Sequence, residues 1–131
     1  MKVTVVVPGF PPKKDGAQSM WRKRGEQPRI IALRRALHTK LGPTVFAGHV
    51  ALDLELRISD DRILTAGDLD NFVTGICDSL MAANGLPRTH GEYSDSEWEG
   101  IEPDRVIALP NDATVVAISA RKIPTLHETS Y

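Results

Sequence analysis

Cys77 is the only cysteine among 131 residues, which excludes an intrachain disulfide and a multi-cysteine zinc site. No apolar run approaches the roughly 20 residues that a bilayer-spanning helix needs. The start, Met1-Lys2 leading into a short valine-rich run that meets Pro8 and Gly9, lacks the pattern of a signal peptide. A cytoplasmic location is the expectation by default. The four histidines, at 38, 49, 90 and 127, show neither paired metal spacing nor a His-Asn-His nuclease pattern. No internal repeat is present. What remains, with 41% hydrophobic and 25% charged residues, is one ordinary globular domain large enough for a real core.

Net charge is also nearly absent, at −1, but this conceals a polarised chain. Residues 1–45 carry ten Lys or Arg against two acids, and residues 46–131 carry six against fifteen. The basic part includes Lys13, Lys14, Arg22, Lys23, Arg24, Arg29, Arg34 and Arg35, with Trp21 among them. Such a cluster can neutralise phosphates and draw in a polyanion. It is equally compatible with a solvated helix face and loop paired to the chain's own acids.

Valine and threonine over residues 2–7 predict a strand, closed by Pro8-Gly9 and Pro11-Pro12. A basic, irregular loop follows. Ile30, Leu33, Leu37 and Leu41 recur at helical spacing, so a helix is expected over about 28–41, ended by Gly42-Pro43. Val50, Leu52, Leu54, Leu56 and Ile58 alternate with polar or small residues and give the clearest strand. A second helix is expected from about Asn71 to Ala83, stopped by Asn84-Gly85. Residues 86–104 read as a long surface excursion, 105–109 as a short strand, and 113–120 as the last strand. The tail from about residue 124 is expected to fray. The order strand, helix, strand, helix, strand predicts an α+β fold: a two-layer domain with a mixed β-sheet and both helices packed on one face.

The most informative stretch is Asp68-Leu69-Asp70-Asn71, two carboxylates two residues apart in front of a helix. In an extended or turning segment, side chains at i and i+2 point the same way, so Asp68 and Asp70 can converge on one hard cation. Magnesium suits such a pair, because it takes oxygen ligands from one or two carboxylates with waters and substrate phosphates. The same residues also fit a plain helix cap favoured by the helix dipole.

Three features taken together resemble the RusA family of Holliday-junction resolvases. They are the strand ending in Pro-Gly-Phe-Pro-Pro-Lys-Lys, the Asp-Leu-Asp-Asn helix with Asp78 and Leu80, and Asn111-Asp112-Ala113-Thr114-Val115-Val116 leading to Arg121-Lys122. The resemblance runs over about residues 3–122. It implies a dimeric, magnesium-dependent endonuclease that cuts four-way DNA junctions symmetrically. Carried over by position, the catalytic and metal-binding acids are Asp68, Asp70 and Asp112, with Asp104 a rival for the third place. The basic residues Lys13, Lys14, Arg22, Lys23 and Arg24 are then the expected DNA contacts.

Two departures stand out. The family's best-known member has a lysine four residues after the second acid, where this chain has Thr74. Lys13, Lys14 or the Arg22-Lys23-Arg24 run is the expected substitute. The other departure is an expected insertion over 85–110, rich in acids. Alternatives of other classes are a junction-binding protein of the same fold that cuts weakly or not at all, and an interaction module whose acidic insertion binds a protein. Asp78 is expected to be a helix-side hydrogen-bonding or salt-bridging residue.

Overall fold

In the computed structural model, which describes residues 1–83 and 96–131, the chain is an α+β domain. Helix α1 spans Gln27–Leu41, strand β1 Val50–Ser59, helix α2 Leu69–Ser79 and strand β2 Val115–Thr125. β1 and β2 pair in parallel, from Ala51 opposite Ala117 to Ser59 opposite Thr125. Both helices lie on the same face of this pair. Leu33 and Leu41 of α1, Phe72 and Ile76 of α2, and Leu56 and Ile58 of β1 form one buried core. The other face carries Asp53, Glu55 and Arg57 on β1 with Ser119 and Arg121 on β2. There Arg121 and Arg57 both donate to the Glu55 carboxylate and hold it below the usual carboxylate range.

The chain ends behave differently from expectation. Residues 2–7 do not form a regular strand, although Val7 is buried and Val3 and Val5 pack against the core. Nor does the tail fray. Ser130 bridges Pro8 on one side and Arg57 of β1 on the other, both antiparallel, so the last residues sit between the N-terminal segment and the sheet. Val7 and Tyr131 exchange backbone hydrogen bonds, and the Ser59 N–H donates to the buried Thr129 hydroxyl. Tyr131 also packs against the core, but a single apolar residue at the end of a polar segment gives no pattern by which the sequence could reveal this docking.

α2 ends at Ser79, four residues before the expected stop, whose Asn84-Gly85 pair lies outside the described residues. Other parts of the chain take its terminal carbonyls. The N–H groups of Ile107, Ala108 and Leu109 all converge on Leu80 O, which also explains why 105–109 is not a strand. The remainder is the work of Arg34. Its side chain is 0% exposed, on the helix face read from sequence as solvated. It donates from Nε to Ile101 O at 2.9 Å and from Nη1 to Ser79 O at 2.7 Å and Met81 O at 3.0 Å. Nη2 serves Glu102 O at 2.6 Å and Arg105 O at 2.7 Å. All five donors of a guanidinium are thereby used. Burial lowers its pKa to about 10, opposed by Glu102 and Asp104, so it stays charged at neutral pH.

The described part of the acidic excursion is therefore packed rather than a loose surface loop. Trp98, Ile101, Ile107, Ala108 and Leu109 are buried. Trp98 joins Met20, Trp21 and Ile30 in a second small core, with the Trp21 and Trp98 ring centroids 6.4 Å apart. Arg34 lies over the Trp21 ring at 5.2 Å and links the two cores.

This packing makes two positions sensitive to substitution. Arg34→Met should cost about 3 kcal/mol or more in urea unfolding, since it strands several buried carbonyls. Gly75→Ala should also destabilise: a Cβ there would lie 2.2 Å from Pro12 O, and a backbone oxygen cannot step aside as a flexible side chain can. An unchanged urea midpoint in either variant would contradict the packing described.

Candidate functional site

The acidic pair sits where the chain turns into α2. Gly67 has φ 143°, a conformation open to glycine, and Asp68 follows in extended geometry at the N-cap position. An aspartate there ordinarily accepts a hydrogen bond from the N–H of the second or third helical residue. Asp68 makes no such bond. Asp70 lies in the first turn, and both residues are exposed. Among the described residues neither carboxylate is engaged in a hydrogen bond or an ion pair. The helix dipole thus favours both acids at this end, but no side-chain cap bond is made, and among the described residues the two carboxylates face solvent uncommitted.

Basic residues are brought to the same corner by the Pro11–Lys14 stretch, which crosses α2. Pro11 and Pro12 are buried, and the absence of a side chain at Gly75 lets the Pro12 backbone approach the helix. The Lys13 N–H donates to the buried Glu26 carboxylate at 3.1 Å, and the Lys14 N–H donates to Asn71 O at 3.1 Å. Glu26 also accepts from Arg29 at 3.0 Å, which fixes it at the start of α1. The Lys13 stem packs so closely on Gly67 that a Cβ there would come within 2.8 Å of it. From the sheet, Lys122 Nζ donates to Gly67 O at 3.0 Å.

The other expected DNA contacts are placed unevenly. Arg22 and Arg24 are exposed, whereas Lys23 Nζ is tied to Asp15 O. Lys13 Nζ is 3.8 Å from Asp15, and Lys14 Nζ is 3.4 Å from Asp78. Asp78 is thus a salt-bridging helix residue, as expected. Met20 and Trp21, apolar residues within the basic loop, are buried in the second core and unable to wedge into DNA. The Phe10 ring carries the Arg29 and Arg62 guanidinium groups over it, at 5.2 and 5.3 Å from its centroid.

Asp112 is not brought to the pair. It opens the short turn Asp112–Thr114 and lines a shallow groove with Cys77, Val115, Val116, Ala117 and Ile118. Cys77 stands seven residues beyond Asp70, two helical turns or about 10 Å along α2. Among the described residues no three His, Cys, Asp or Glu side chains form a group able to hold a metal ion. Asp104, the rival, acts instead on the Arg34 guanidinium at the other end of the helix. Burial pushes the Cys77 thiol up, with Asp78 and Asp112 adding to the effect, so it is a poor nucleophile. The Thr74 hydroxyl, one turn into the helix, donates back to Asp70 O at 3.0 Å.

Lys122 is the residue of this corner that sequence reasoning misses, since there it only marks the end of a strand. A signal is available: Ile118, Ala120 and Lys122 share one face of β2, and a lysine breaks that row. No family model, curated protein or solved structure matches this chain. No helix among the described residues is long and apolar enough to cross a membrane.

Because Asp68 makes no capping bond, Asp68→Ala should cost well under the ~1 kcal/mol typical of losing an aspartate cap. Urea unfolding checks this, and a full-sized loss would restore the capping role.

Proposed function

We propose that the chain is a magnesium-dependent, structure-selective DNA endonuclease that resolves four-way junctions by paired nicks. The observation that carries this reading is the pair of exposed, uncommitted carboxylates at the start of α2, with the Lys13 stem and the Lys122 ammonium packed on the adjoining Gly67. Acids that bind no partner among the described residues suit a cation, and cations beside them suit a phosphate. Asp68 and Asp70 would hold the ion, with waters and phosphate oxygens completing its shell. When bound, magnesium polarises the phosphate and lowers the pKa of coordinated water. Asp112, which the resemblance to RusA resolvases adds as a third ligand, forms no three-acid group with the pair among the described residues.

The basic segment supplies affinity without sequence information, through phosphate contacts. Arg22 and Arg24, exposed beside the buried Met20-Trp21 anchor, are its freest members. A homodimer would present two equivalent sites to the two-fold junction, each cutting one of two opposing strands. Such an enzyme belongs in the cytoplasm with the DNA. A second reading, junction binding with little cleavage, is favoured by Thr74, whose side chain turns onto the Asp70 carbonyl and carries no charge.

Cleavage of a labelled synthetic junction separates the two. Asp68→Asn and Asp70→Asn should each abolish cleavage while leaving most junction affinity. Asp112→Asn should lose less, since the ion keeps both of its helix ligands; an equal loss would mean that Asp112 closes onto the pair when junction and metal bind. A wild-type protein that binds the junction without cutting it supports the second reading. Replacing Arg22 and Arg24 by Ala should reduce the log–log salt slope of binding by about 0.9 for each phosphate no longer neutralised. An unchanged slope would show that this segment faces away from DNA.

A further inference from the structure

We infer that Lys122 is the phosphate-positioning cation of this site, in the role that Thr74 cannot fill; the inference rests on the endonuclease reading. The argument begins with the sheet. In the β1–β2 register Leu52, Leu54, Leu56 and Ile58 oppose Ile118, Ala120, Lys122 and Pro124, and paired residues share a face. Lys122 is therefore the one charged residue in that row of β2, half-buried and directly opposite the fully buried Leu56, while Ile118 and Pro124 at the ends of the row are exposed. Even partial withdrawal of an ammonium from water costs free energy and favours a partner for it.

Its surroundings show where the charge goes. The half-buried stem crosses the start of α2, and Nζ reaches Gly67 O at 3.0 Å, the residue immediately before Asp68. An ammonium has three donors. One is given to that carbonyl, and among the described residues no carboxylate pairs with it. Of the lysines packed at this corner, Lys13 and Lys14 are each shared with an acid, Asp15 and Asp78, while Lys122 is not. It is a cation anchored by a strand and a backbone carbonyl, with donors left over, beside two carboxylates that are themselves uncommitted.

Hydrolysis forms a bond from water oxygen to phosphorus and breaks one from phosphorus to the leaving alkoxide; the attacking water gives up a proton to solvent and the alkoxide takes one from it. Charge builds on the phosphoryl oxygens as this happens. A fixed ammonium there stabilises the transition state more than the ground state. Position 74 lies on α2 one turn from Asp70, so a lysine there would approach the same phosphate from the helix. Lys122 approaches from the sheet.

The test is single-turnover cleavage of a labelled four-way junction by wild type, Lys122→Met, Lys122→Arg and Lys122→Met/Thr74→Lys, over a magnesium titration. Lys122→Met should cut about 100-fold more slowly at saturating magnesium, the scale of losing one preorganised donor to a transition state. Its magnesium midpoint and junction affinity should change less than about three-fold, and its melting temperature should hold, since methionine replaces the half-buried stem at similar length. Lys122→Arg should restore part of the rate, and Thr74→Lys should rescue the methionine variant.

Several results would overturn the inference. A lower magnesium midpoint with an unchanged saturating rate would make Lys122 only a counter-ion to the acid pair. A fall in melting temperature that accounts for the lost activity, without rescue by Thr74→Lys, would make it only a structural tie to Gly67. If the wild type cuts and Lys122→Met cuts equally well, the inference falls and the endonuclease reading stands. If the wild type cuts no junction, both fall.

Discussion

The buried Arg34 guanidinium is the constraint on which the rest of the arrangement depends. A fully desolvated cation is costly unless every donor is satisfied, and here five carbonyls satisfy it. Those carbonyls belong to the end of α2 and to the excursion that follows it, while the arginine itself belongs to α1. One side chain therefore sets where α2 stops, how the excursion folds back, and how α1 lies against both. Its stacking on Trp21 extends the same control to the basic loop. The far end of α2 is held, and the near end is left to present the acids.

That near end is organised by close backbone approach rather than by side-chain bonds. Gly75 admits the Pro12 carbonyl, Gly67 admits the Lys13 stem, and Glu26 and Asn71 fix the N–H groups of Lys13 and Lys14. Each of these approaches brings positive charge to the place where the chain concentrates exposed negative charge. Neutralisation is incomplete among the described residues: Lys14 is used by Asp78, but Asp68, Asp70 and Lys122 are paired with no opposite charge there. A site that holds opposite charges side by side without pairing them suits a ligand that carries both, a phosphate with its cation.

Much of this is legible in the sequence, and the failures have physical causes. The 3.6-residue and two-residue periods identify both helices and β1 because those elements bury one face only. The acidic pair at the start of α2 is legible because its spacing is local. Arg34 reads as a solvated helix residue, although it shares a stripe with Ile30, four residues before it, and with Leu37 and Leu41, three and seven residues after it. Periodicity identifies a face but not a charged group that the fold will bury and satisfy. The docked tail and the missing strand at 105–109 both depend on backbone bonds between distant segments. No local pattern encodes those.

The central claim is that the start of α2 is a site for cutting branched DNA with magnesium. The most direct measurement is to map the ends of the strands released from a synthetic four-way junction by the purified protein in the presence of magnesium. Nicks at matching positions in two opposing strands, lost when magnesium is chelated, are the predicted result. An intact junction, or scattered cuts that persist without a divalent cation, would contradict it.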